Sequence, residues 1–555
     1  MNSRTLQQEK NKLNNKKMFE GGEITYSEGI PHLKLSGTYF EMGKQYGTLL
    51  KEELHEINQI SRKFFKKVVP GFLKPLSNVY LNRRAKKMKH RIPEVFREEM
   101  RGMAAGSGLS YKDLLSIASF PEIFLGCTTV LTRINGNVVL ARNLDFLPFL
   151  GSYSAVVEYK PLTGGVVTSI GIIGYGGLLT GFNDKGLSLS LNTIALAKKE
   201  ASDEVMIGYK NRAILENAES LEEADGMLSQ YRSEVGWLIT IASSRENNGF
   251  VYEIATTGNK KHELNEQDYL AVNNSFIDHN LNRENMGVLT SENFRNRGRH
   301  EGLKDQLNNH PVKNQDDLVQ LLMNVTFYEY EGIELGLGHY AVNNEQSIQS
   351  IIIDYTNKTF LLAAGEGYSG FDAFYRYRIN QGFIDVYREK LDKKAVQELL
   401  DKRDRMMDLF LAKDFKGLAD LVDLDEKTNI YEISGLVDLD VKKDNQKLLE
   451  SIEQEIKHYE HLPELHIKKG IVLIDLGRYE EAVSTLEVAL NLPYVFEADQ
   501  VMIYRYLAKA AQQLGNKDRS HEYAVKCIEL IEQYVVGKSE KEIIKEVSSY
   551  RFANK

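Results

Sequence analysis

Cysteine, tryptophan and proline are all scarce in this chain of 555 residues, which has two, one and ten of them. The two cysteines, Cys127 and Cys527, lie in unrelated sequence settings, so a disulfide framework is excluded and a reducing cytoplasm is favoured. The first 23 residues carry no apolar signal-sequence core, and no apolar run approaches the roughly 18 residues that cross a bilayer. We therefore expect a cytoplasmic protein without membrane insertion.

Sequence motifs of several common site types are also missing. The 12 histidines show no H-E-x-x-H or related metal spacing, and the chain has no G-x-S-x-G elbow, phosphate loop or dinucleotide fingerprint. Acidic residues outnumber basic ones, for a net charge of −8 without a basic stripe, which argues against a nucleic-acid partner. The sequence thus predicts no cofactor, no metal and no nucleic acid.

A β-hairpin is predicted around Asn135-Gly136, because this dipeptide suits the two left-handed positions of a type I′ turn. The flanking runs TTVLTRI and NVVLA are rich in β-formers. A two-residue loop makes Cys127 face Leu144. Since side chains alternate along a strand, Arg142 then shares a face with Cys127, about 7–8 Å away between Cα atoms. Asp145 is expected just past the pairing, where the chain can turn it toward the same spot.

These residues carry a family resemblance. The order Gly126-Cys127-Thr-Thr, hairpin, then Arg142-Asn-x-Asp145-Phe resembles the start of the mature catalytic chain in N-terminal-nucleophile (Ntn) amidohydrolases of the choloylglycine hydrolase and acid ceramidase type. It is most similar to the self-cleavage site of the acyl-CoA:6-aminopenicillanic acid acyltransferase group, peptidase family C45. An upstream block at 37–47, GTYFEMGKQYG, is similar to the G-x-x-x-E-M-G-x-Q-x-G segment of that group's pro-region.

The resemblance implies a mechanism without histidine. Cleavage between Gly126 and Cys127 would make Cys127 a new N-terminus, whose α-amine, with a pKa of about 8 when free, serves as base for its own thiol. Arg142 would hold the thiolate and lower its pKa. Asp145 would accept hydrogen bonds from the α-amine and orient it.

Family position also suggests side chains that complete the site. An oxyanion needs neutral donors, for which Asn192, at the end of LSLSLN, and Asn274, in AVNNSF, are the candidates. Asn273 is a rival to Asn274 by a one-residue register uncertainty. A second arginine is expected in the segment FRNRGRH, where alignment with the family favours Arg299. That segment offers three arginines: Arg295, Arg297 and Arg299.

The pattern of strands and helices predicts an α+β fold, and the resemblance implies an Ntn-hydrolase αββα sandwich. Residues 1–126 are expected to be a helical pro-segment or α chain, removed or retained after autocleavage, with one long amphipathic helix at 40–60. The catalytic domain is predicted at 127–385. It begins with strands and turns, which a helix at 207–230 follows.

An all-α region is predicted after the catalytic domain, with a helical linker at 386–440. Residues 441–555 resemble tetratricopeptide repeats, with a first copy at 470–489 and a weaker one at 508–527. Cys527 falls at a small helix-packing position and is expected to be structural. Two repeats cannot bury their own faces, so we expect docking on the catalytic domain, self-association or a protein partner to cover four leucines: Leu473, Leu476, Leu486 and Leu490.

Two functional hypotheses follow. The first is an enzyme that hydrolyses, or transfers the acyl group of, a linear non-peptide C–N amide through a Cys127 thioester. Its substrate would be a small-molecule amide or acyl donor, and water or an amine would resolve the thioester. The second is a catalytically retired Ntn fold that serves as a binding or scaffold protein through its C-terminal repeats. The intact cluster around Cys127 favours the enzyme.

Overall fold

The computed structural model describes most of the chain. The described residues are 16–68, 89–118, 126–194, 196, 205–233, 235–265, 268–282, 291–325, 341–392, 397, 445–458, 460, 463–492, 495–534 and 538–551. They divide into two compact units. The first comprises 1–194, 200–276 and 299–411; the second comprises 195–199, 277–298 and 412–555. All strands among the described residues belong to the first unit.

The strands lie in two sheets. They are β1 (Lys17–Phe19), β2 (Gly22–Ser27), β3 (Ile30–Gly37), β4 (Gly126–Ile134), β5 (Asn137–Asp145), β6 (Ser154–Pro161), β7 (Val167–Ile172), β8 (Thr180–Asn183), β9 (Leu187–Ile194), β10 (Gly236–Ser243), β11 (Asn248–Ile254), β12 (Asn259–Glu263), β13 (Tyr269–Val272), β14 (Ser347–Asp354), β15 (Thr359–Ala364), β16 (Phe374–Arg378) and β17 (Gly382–Arg388).

Helices flank these strands and form the C-terminal region. They are α1 (Tyr39–Leu49), α2 (Lys51–Val68), α3 (Glu94–Ser107), α4 (Tyr111–Ala118), α5 (Ile207–Asn217), α6 (Leu221–Leu228), α7 (His279–Asn282), α8 (Ser291–Asn309), α9 (Gln315–Met323), α10 (Asn445–His458), α11 (Pro463–Asp475), α12 (Tyr479–Leu490), α13 (Glu497–Gln513), α14 (Lys517–Glu532) and α15 (Lys538–Arg551).

The two sheets form the core of the first unit. The ten-stranded sheet has the order β1-β2-β3-β6-β7-β8-β9-β10-β11-β12, and the seven-stranded sheet has the order β13-β4-β5-β14-β15-β16-β17. The sheets meet where β4 and β5 contact β9 and β10, while α1 packs on β2 and β3, and α9 packs on β5 and β14. The chain is thus a mixed α and β protein with a C-terminal helical region, as the sequence predicted.

The predicted hairpin is present with the predicted register. Cys127 pairs with Leu144, and the pairing runs without a shift to the turn. Asn135 and Gly136 have φ angles of 51° and 80°, the left-handed values that a type I′ turn requires. Local sequence alone therefore set the geometry of this hairpin.

Two predicted helices are each broken in two. The expected helix at 40–60 bends at Leu50, whose ψ of 30° lies outside the helical region, and both Leu50 and Leu54 are fully buried. The expected helix at 207–230 ends at Asn217, and a new one starts because the Ser220 side chain accepts a hydrogen bond from the backbone N–H of Glu223. Burial and a new N-cap override the continuous apolar periodicity in these segments.

The segment upstream of Cys127 is not only helical, as predicted, but supplies strands to the main sheet. β1, β2 and β3 form one edge of the ten-stranded sheet, and β3 pairs in parallel with β6, which follows Cys127 in the chain. In β2, the polar residues Glu23, Thr25 and Ser27 alternate with Ile24 and Tyr26, a strand pattern that the sequence analysis missed. The expected helical linker at 386–440 begins with the end of β17 and otherwise lies mostly outside the described residues.

The upstream block at 37–47 has a structural explanation. Thr38 and Glu41 form a capping box at the start of α1. The Gln45 side chain bonds the backbone of Ser36 at 2.8 and 3.0 Å, which ties α1 to β3. Gly43 and Gly47 lie against α3, because a Cβ on Gly43 would stand 1.9 Å from a backbone carbonyl oxygen of that helix.

The C-terminal helices bury their own apolar faces. Leu473 and Leu486 are fully buried in a core formed by side chains from Leu449 to Val547. The expectation that another surface must cover the repeat leucines is therefore wrong for Leu473 and Leu486, because α10 and α15 add to this core, whereas Leu476 and Leu490 are partly buried against it. Cys527 is buried in the same core, and its thiol donates to the carbonyl oxygen of Val501 at 3.5 Å. No helix among the described residues is both long and apolar enough to cross a bilayer.

Replacement of Gly43 by alanine tests the contact between α1 and α3. We expect Gly43→Ala to lower the free energy of unfolding of the first unit by about 3 kcal/mol, because the added Cβ must push two backbones apart. Urea denaturation followed by the fluorescence of Trp237, the single tryptophan, reports this unit. Gly226→Ala is the matched control, since a Cβ there meets nothing within 4 Å and alanine should stabilise α6 by about 0.5–1 kcal/mol. Equal effects of the two changes would contradict the packing role.

Candidate active site

The thiol of Cys127 and the guanidinium of Arg142 are in direct contact. Arg142 Nη2 donates to Cys127 Sγ at 2.9 Å, and both residues are fully buried. Arg142 reaches the thiol because it stands opposite Thr129 on the paired strand, on the same face as Cys127. The structure therefore brings together the pair that the hairpin geometry indicated.

Arg142 is held by the ten-stranded sheet. Its Nη1 donates to the backbone carbonyl of Leu179 at 2.7 Å and to the hydroxyl of Thr180. Its Nη2 also donates to the carbonyl of Leu191 at 2.5 Å. Since all these acceptors are uncharged, the positive charge of the guanidinium is not neutralised by them and acts on the thiol.

The backbone nitrogen of Cys127 has its own acceptor. It donates to Oδ1 of Asn274 at 3.0 Å, and Nδ2 of Asn274 donates to the carbonyl of Thr193 at 2.7 Å. The neighbouring Asn273 instead accepts a hydrogen bond from the N–H of Ser275 with its side chain, a local turn contact. Of the two rival asparagines, Asn274 is the one in contact with Cys127.

Asp145 lies inside the hairpin pairing rather than just past it. It is paired with Gly126, and a Cβ on Gly126 would stand 2.9 Å from the Cβ of Asp145. Because adjacent side chains of a strand alternate, Asp145 leaves β5 on the face opposite to Leu144 and Cys127. In the uncleaved chain the backbone nitrogen of Cys127 donates to Asn274, and the role of Asp145 toward a free α-amine stays a prediction.

Asp145 is the centre of a second buried cluster. Its Oδ2 accepts from Arg299 at 2.6 Å and from Asn344 at 3.1 Å, and its Oδ1 accepts from Ser347 at 2.6 Å. Arg299 also donates to Oδ1 of Asn274 at 2.5 Å. This arginine therefore links the carboxylate to the acceptor of the Cys127 nitrogen. The side chains of the rival Arg295 and Arg297 lie outside the described residues.

Asn192 lies beside the site but faces the hairpin. Its Oδ1 accepts from the hydroxyl of Thr129 at 2.8 Å, and its Nδ2 donates to the carbonyl of Asn273 at 3.0 Å. It thus ties β4, β9 and the chain after β13 together. The oxygen and the nitrogen of the Asn192 side-chain amide thus each have a hydrogen-bond partner. Its role as an oxyanion donor stays a prediction.

Three residues of the site escaped the sequence analysis: Thr180, Asn344 and Ser347. Thr180 begins β8, and the other two come more than 190 residues after the hairpin, so local spacing carries no signal for them. The run AVNNEQS at 341–347 repeats the Ala-Val-Asn-Asn of 271–274. That repeated AVNN is the sequence signal that could have drawn attention to Asn344.

Burial dominates the ionisation of the thiol in the uncleaved chain. Burial raises the pKa of Cys127, while the nearby charges of Arg142 and Arg299 oppose this rise and that of Asp145 adds to it. Arg142 therefore lowers the pKa of the thiol, as expected, but burial outweighs it in the uncleaved chain. Among the described residues no group of three or more histidine, cysteine or carboxylate side chains could hold a metal ion.

The comparisons with known proteins cover most of this site. Residues 132–366 match the family described as acyl-coenzyme A:6-aminopenicillanic acid acyl-transferase, a match that begins five residues after Cys127. Acid ceramidase of Rattus norvegicus is 31% identical over 189 residues, covering 29% of this chain and 47% of the relative. The chain thus spans about half the length of that curated relative. These matches confirm the predicted resemblance to Ntn amidohydrolases.

Solved structures show a weaker likeness. The N-acylethanolamine-hydrolyzing acid amidase ortholog of Caenorhabditis elegans is 18% identical, with a TM-score of 0.31, covering 41% of this chain and 93% of that one. A mutant of conjugated bile acid hydrolase from Clostridium perfringens is 11% identical, with a TM-score of 0.30, covering 48% of this chain and 97% of that one. Scores this low do not by themselves establish a shared fold.

Replacement of Arg142 by lysine tests the contact with the thiol. A lysine keeps one charge but cannot donate to the thiol and to the Leu179 carbonyl from two separate nitrogens. We expect the pKa of Cys127 to rise in Arg142→Lys, so that its alkylation by iodoacetamide at a fixed pH slows by about tenfold for each unit. Mass spectrometry of the Cys127 peptide across a pH series measures this. Arg133→Lys, on the same hairpin but bonded to the carbonyl of Asn265, should alkylate as wild type does.

Replacement of Asp145 by asparagine tests the buried ion pair. Asp145 and Arg299 side chains are 3% and 5% exposed, so Asp145→Asn leaves a buried charge uncompensated and should cost about 3–5 kcal/mol of unfolding free energy. The measurement is urea denaturation followed by Trp237 fluorescence, in a Cys127→Ala background. Asp385→Asn breaks an exposed pair with Arg376 and should change stability little. A small effect of Asp145→Asn would contradict the buried pair.

Proposed function

We propose that this protein is an autoprocessed cysteine Ntn hydrolase or acyltransferase that acts on a linear, non-peptide C–N amide through a Cys127 thioester. The observation that carries the proposal is the pair of contacts at Cys127. Its thiol accepts from Arg142 at 2.9 Å, and its backbone nitrogen donates to Asn274 at 3.0 Å. A nucleophile and the nitrogen that would become its base are thus both held in the same residue.

The proposed cleavage creates the base. Hydrolysis of the bond between Gly126 and Cys127 consumes one water and gives a carboxylate on Gly126 and a free α-amine on Cys127. Oδ1 of Asn274 is in position to accept a hydrogen bond from this amine. Arg299, bonded to both Asn274 and Asp145, keeps that oxygen in place.

Catalysis then proceeds in two halves. The neutral α-amine takes the thiol proton, and the thiolate attacks the carbonyl carbon of the amide to form a tetrahedral intermediate. The C–N bond breaks as the leaving nitrogen takes the proton from the α-ammonium, which leaves an acyl thioester on Cys127. Water or an amine gives a proton to the α-amine as it attacks the thioester carbonyl, the C–S bond breaks to release the acid or the new amide, and the α-ammonium returns the proton to the thiolate.

Arg142 supplies the electrostatic part of this mechanism. Its buried charge favours the thiolate over the thiol, and burial away from water strengthens that interaction. Neutral donors near the thiol would stabilise the oxyanion of the tetrahedral intermediate, and we propose Asn274 and Asn192 for this service. Both are held rigidly by hydrogen bonds to backbone carbonyls.

The matched proteins support an acyl amide as the substrate class. The family description names an acyl transferase, and the relative is named a ceramidase. Transfer and hydrolysis differ only in whether an amine or water resolves the thioester. We therefore propose a small-molecule N-acyl compound as substrate, with hydrolysis or transfer decided by access of the second nucleophile.

We further propose that the cleaved upstream segment stays bound within an αββα Ntn architecture. β1 to β3 complete the ten-stranded sheet, so the loss of 1–126 would expose the edge of β6. The helices from 445 onward would be a tetratricopeptide-like module with its own core, available for self-association or a protein partner. Both cysteines are unpaired, which supports the proposed cytoplasmic location. The complete contact set around Cys127 supports an enzyme over a retired scaffold.

Self-processing is the first expected result. Active protein should separate into chains 1–126 and 127–555 on a denaturing gel, yet elute as one species from a size-exclusion column. Cys127→Ala should remain a single chain, because the nucleophile of the cleavage is removed. Intact mass identifies the junction. An uncleaved protein with full activity would remove the α-amine from the mechanism.

Amide turnover is the second expected result. A panel of ceramides, N-acyl amino acids, N-acylethanolamines, bile-salt conjugates and penicillins should include at least one compound from which the cleaved protein releases an amine. Released amine and acyl product are measured together, with and without an added acceptor amine, to separate hydrolysis from transfer. Cys127→Ala is the matched control. Release that persists in Cys127→Ala would reject the thioester route.

A further inference from the structure

A buried loop supplies two of the oxygens that hold Arg142. This glycine loop, residues 173–180 with sequence IGYGGLLT, connects β7 to β8. Its last two residues provide the Leu179 carbonyl and the Thr180 hydroxyl that accept from Nη1 of Arg142. All residues of the loop are buried. The position of the Arg142 guanidinium therefore depends on where this loop lies.

The segment upstream of Cys127 is hydrogen-bonded to the loop at Gly174. The hydroxyl of Tyr46, in α1, accepts a hydrogen bond from the backbone N–H of Gly174 at 2.8 Å. Tyr46 is 1% exposed, so this contact is shielded from water. Tyr46 comes from the same 37–47 block whose glycines pack α1 on α3.

A second contact with the upstream segment reaches Gly176 through a buried arginine. Nη1 of Arg212, in α5, donates to the carbonyl of Gly176 at 2.9 Å. Glu99, in α3 of the upstream segment, binds both terminal nitrogens of Arg212 at 2.6 and 2.7 Å. The guanidinium also stacks 3.6 Å from the ring of Tyr159, and its Nε donates to Glu216 at 2.9 Å. All three guanidinium nitrogens of Arg212 therefore have hydrogen-bond acceptors.

We propose that Tyr46 and Glu99 are positioning residues for the nucleophile: they fix the glycine loop, the loop fixes Arg142, and Arg142 fixes the ionisation of the Cys127 thiol. Glu99 acts through Arg212 and Tyr46 acts directly on the loop. A role of these residues in catalysis rests on the proposed function. Their effect on the thiol of Cys127 and on Arg142 does not. It assigns the upstream segment a part in the site although that segment supplies no reacting atom.

Two features support a positioning role over mere support of the fold. Both contacts end on backbone atoms of the same short loop, two residues apart, and the acceptors of Arg142 follow at the end of that loop, in Leu179 and Thr180. The body of β7 is bonded instead to its neighbours β6 and β8. A displacement of Gly174 or Gly176 therefore acts on Leu179 and Thr180 through a short stretch of the same chain.

The test uses the pH dependence of Cys127 alkylation in the full-length protein. Tyr46→Phe removes one hydroxyl, and Glu99→Gln removes the charge that fixes Arg212, while both keep the side-chain volume. We expect each variant to react with iodoacetamide more slowly at a fixed pH below the thiol pKa, by about tenfold for a one-unit rise. Mass spectrometry of the Cys127 peptide reads this without interference from Cys527.

Matched controls come from the same upstream segment. Tyr26 donates to Glu53 at 3.2 Å, a tyrosine–glutamate contact that does not involve the glycine loop. Tyr26→Phe and Glu53→Gln should alkylate as wild type does, even where their melting temperatures fall. Wild-type alkylation by folded Tyr46→Phe and Glu99→Gln would overturn the proposal, as would an equal shift in the controls. If Glu99→Gln does not fold, Tyr46→Phe decides alone.

Alkylation needs no substrate, so the outcome separates this proposal from the proposed function. A protein that releases no amine from any compound but shows the shift would reject only the function. A protein that is cleaved and active, but whose Cys127 alkylation is unchanged in Tyr46→Phe and Glu99→Gln, would reject only the positioning role.

Discussion

The site depends on a guanidinium that is fully buried without a carboxylate in its hydrogen bonds. Burying a charge is costly unless hydrogen bonds compensate it, and Arg142 receives that compensation from two carbonyls, a hydroxyl and the thiol. Because three of these acceptors are neutral oxygens, its charge remains available to a thiolate. Had Arg142 paired with Asp145, the charge would have been neutralised and the thiol would have lost its stabilisation.

Arg142 and Arg299 therefore have different surroundings and different effects. Arg299 forms an ion pair with Asp145 at 2.6 Å and touches Asn274, which makes it an organiser of the acceptor for the Cys127 nitrogen. Arg142 contacts the sulfur itself. Placing the carboxylate on the opposite face of β5 keeps these two functions apart, and strand alternation does this at no cost in chain length.

Both sheets contribute to this arrangement, and the upstream segment belongs to one of them. The hairpin of the seven-stranded sheet carries Cys127 and Arg142, whereas the ten-stranded sheet provides the carbonyl of Leu191 and the side chain of Asn192. The edge of that second sheet consists of β1 to β3. Cys127 and Arg142 share one hairpin, so a shift between the two sheets would leave them together but would move Arg142 away from its acceptors Leu179 and Leu191. The C-terminal helices have a separate core and contribute none of the contacts described at Cys127.

The sequence alone determined the features that depend on neighbours along the chain. Asn135-Gly136 fixed the turn, the turn fixed the register, and the register placed Arg142 beside Cys127, because hairpin pairing is a local rule. The family resemblance added Asn274 and Arg299. Only the tertiary structure decided that Asn274, and not Asp145, accepts from the backbone nitrogen of Cys127. Asp145 still pairs with Gly126 in the hairpin, so its side chain lies on the face of β5 opposite to the Cys127 side chain. It alone brought Thr180, Asn344 and Ser347 to the site and joined β3 to β6, because contacts between residues far apart in the chain leave no periodic trace in either segment.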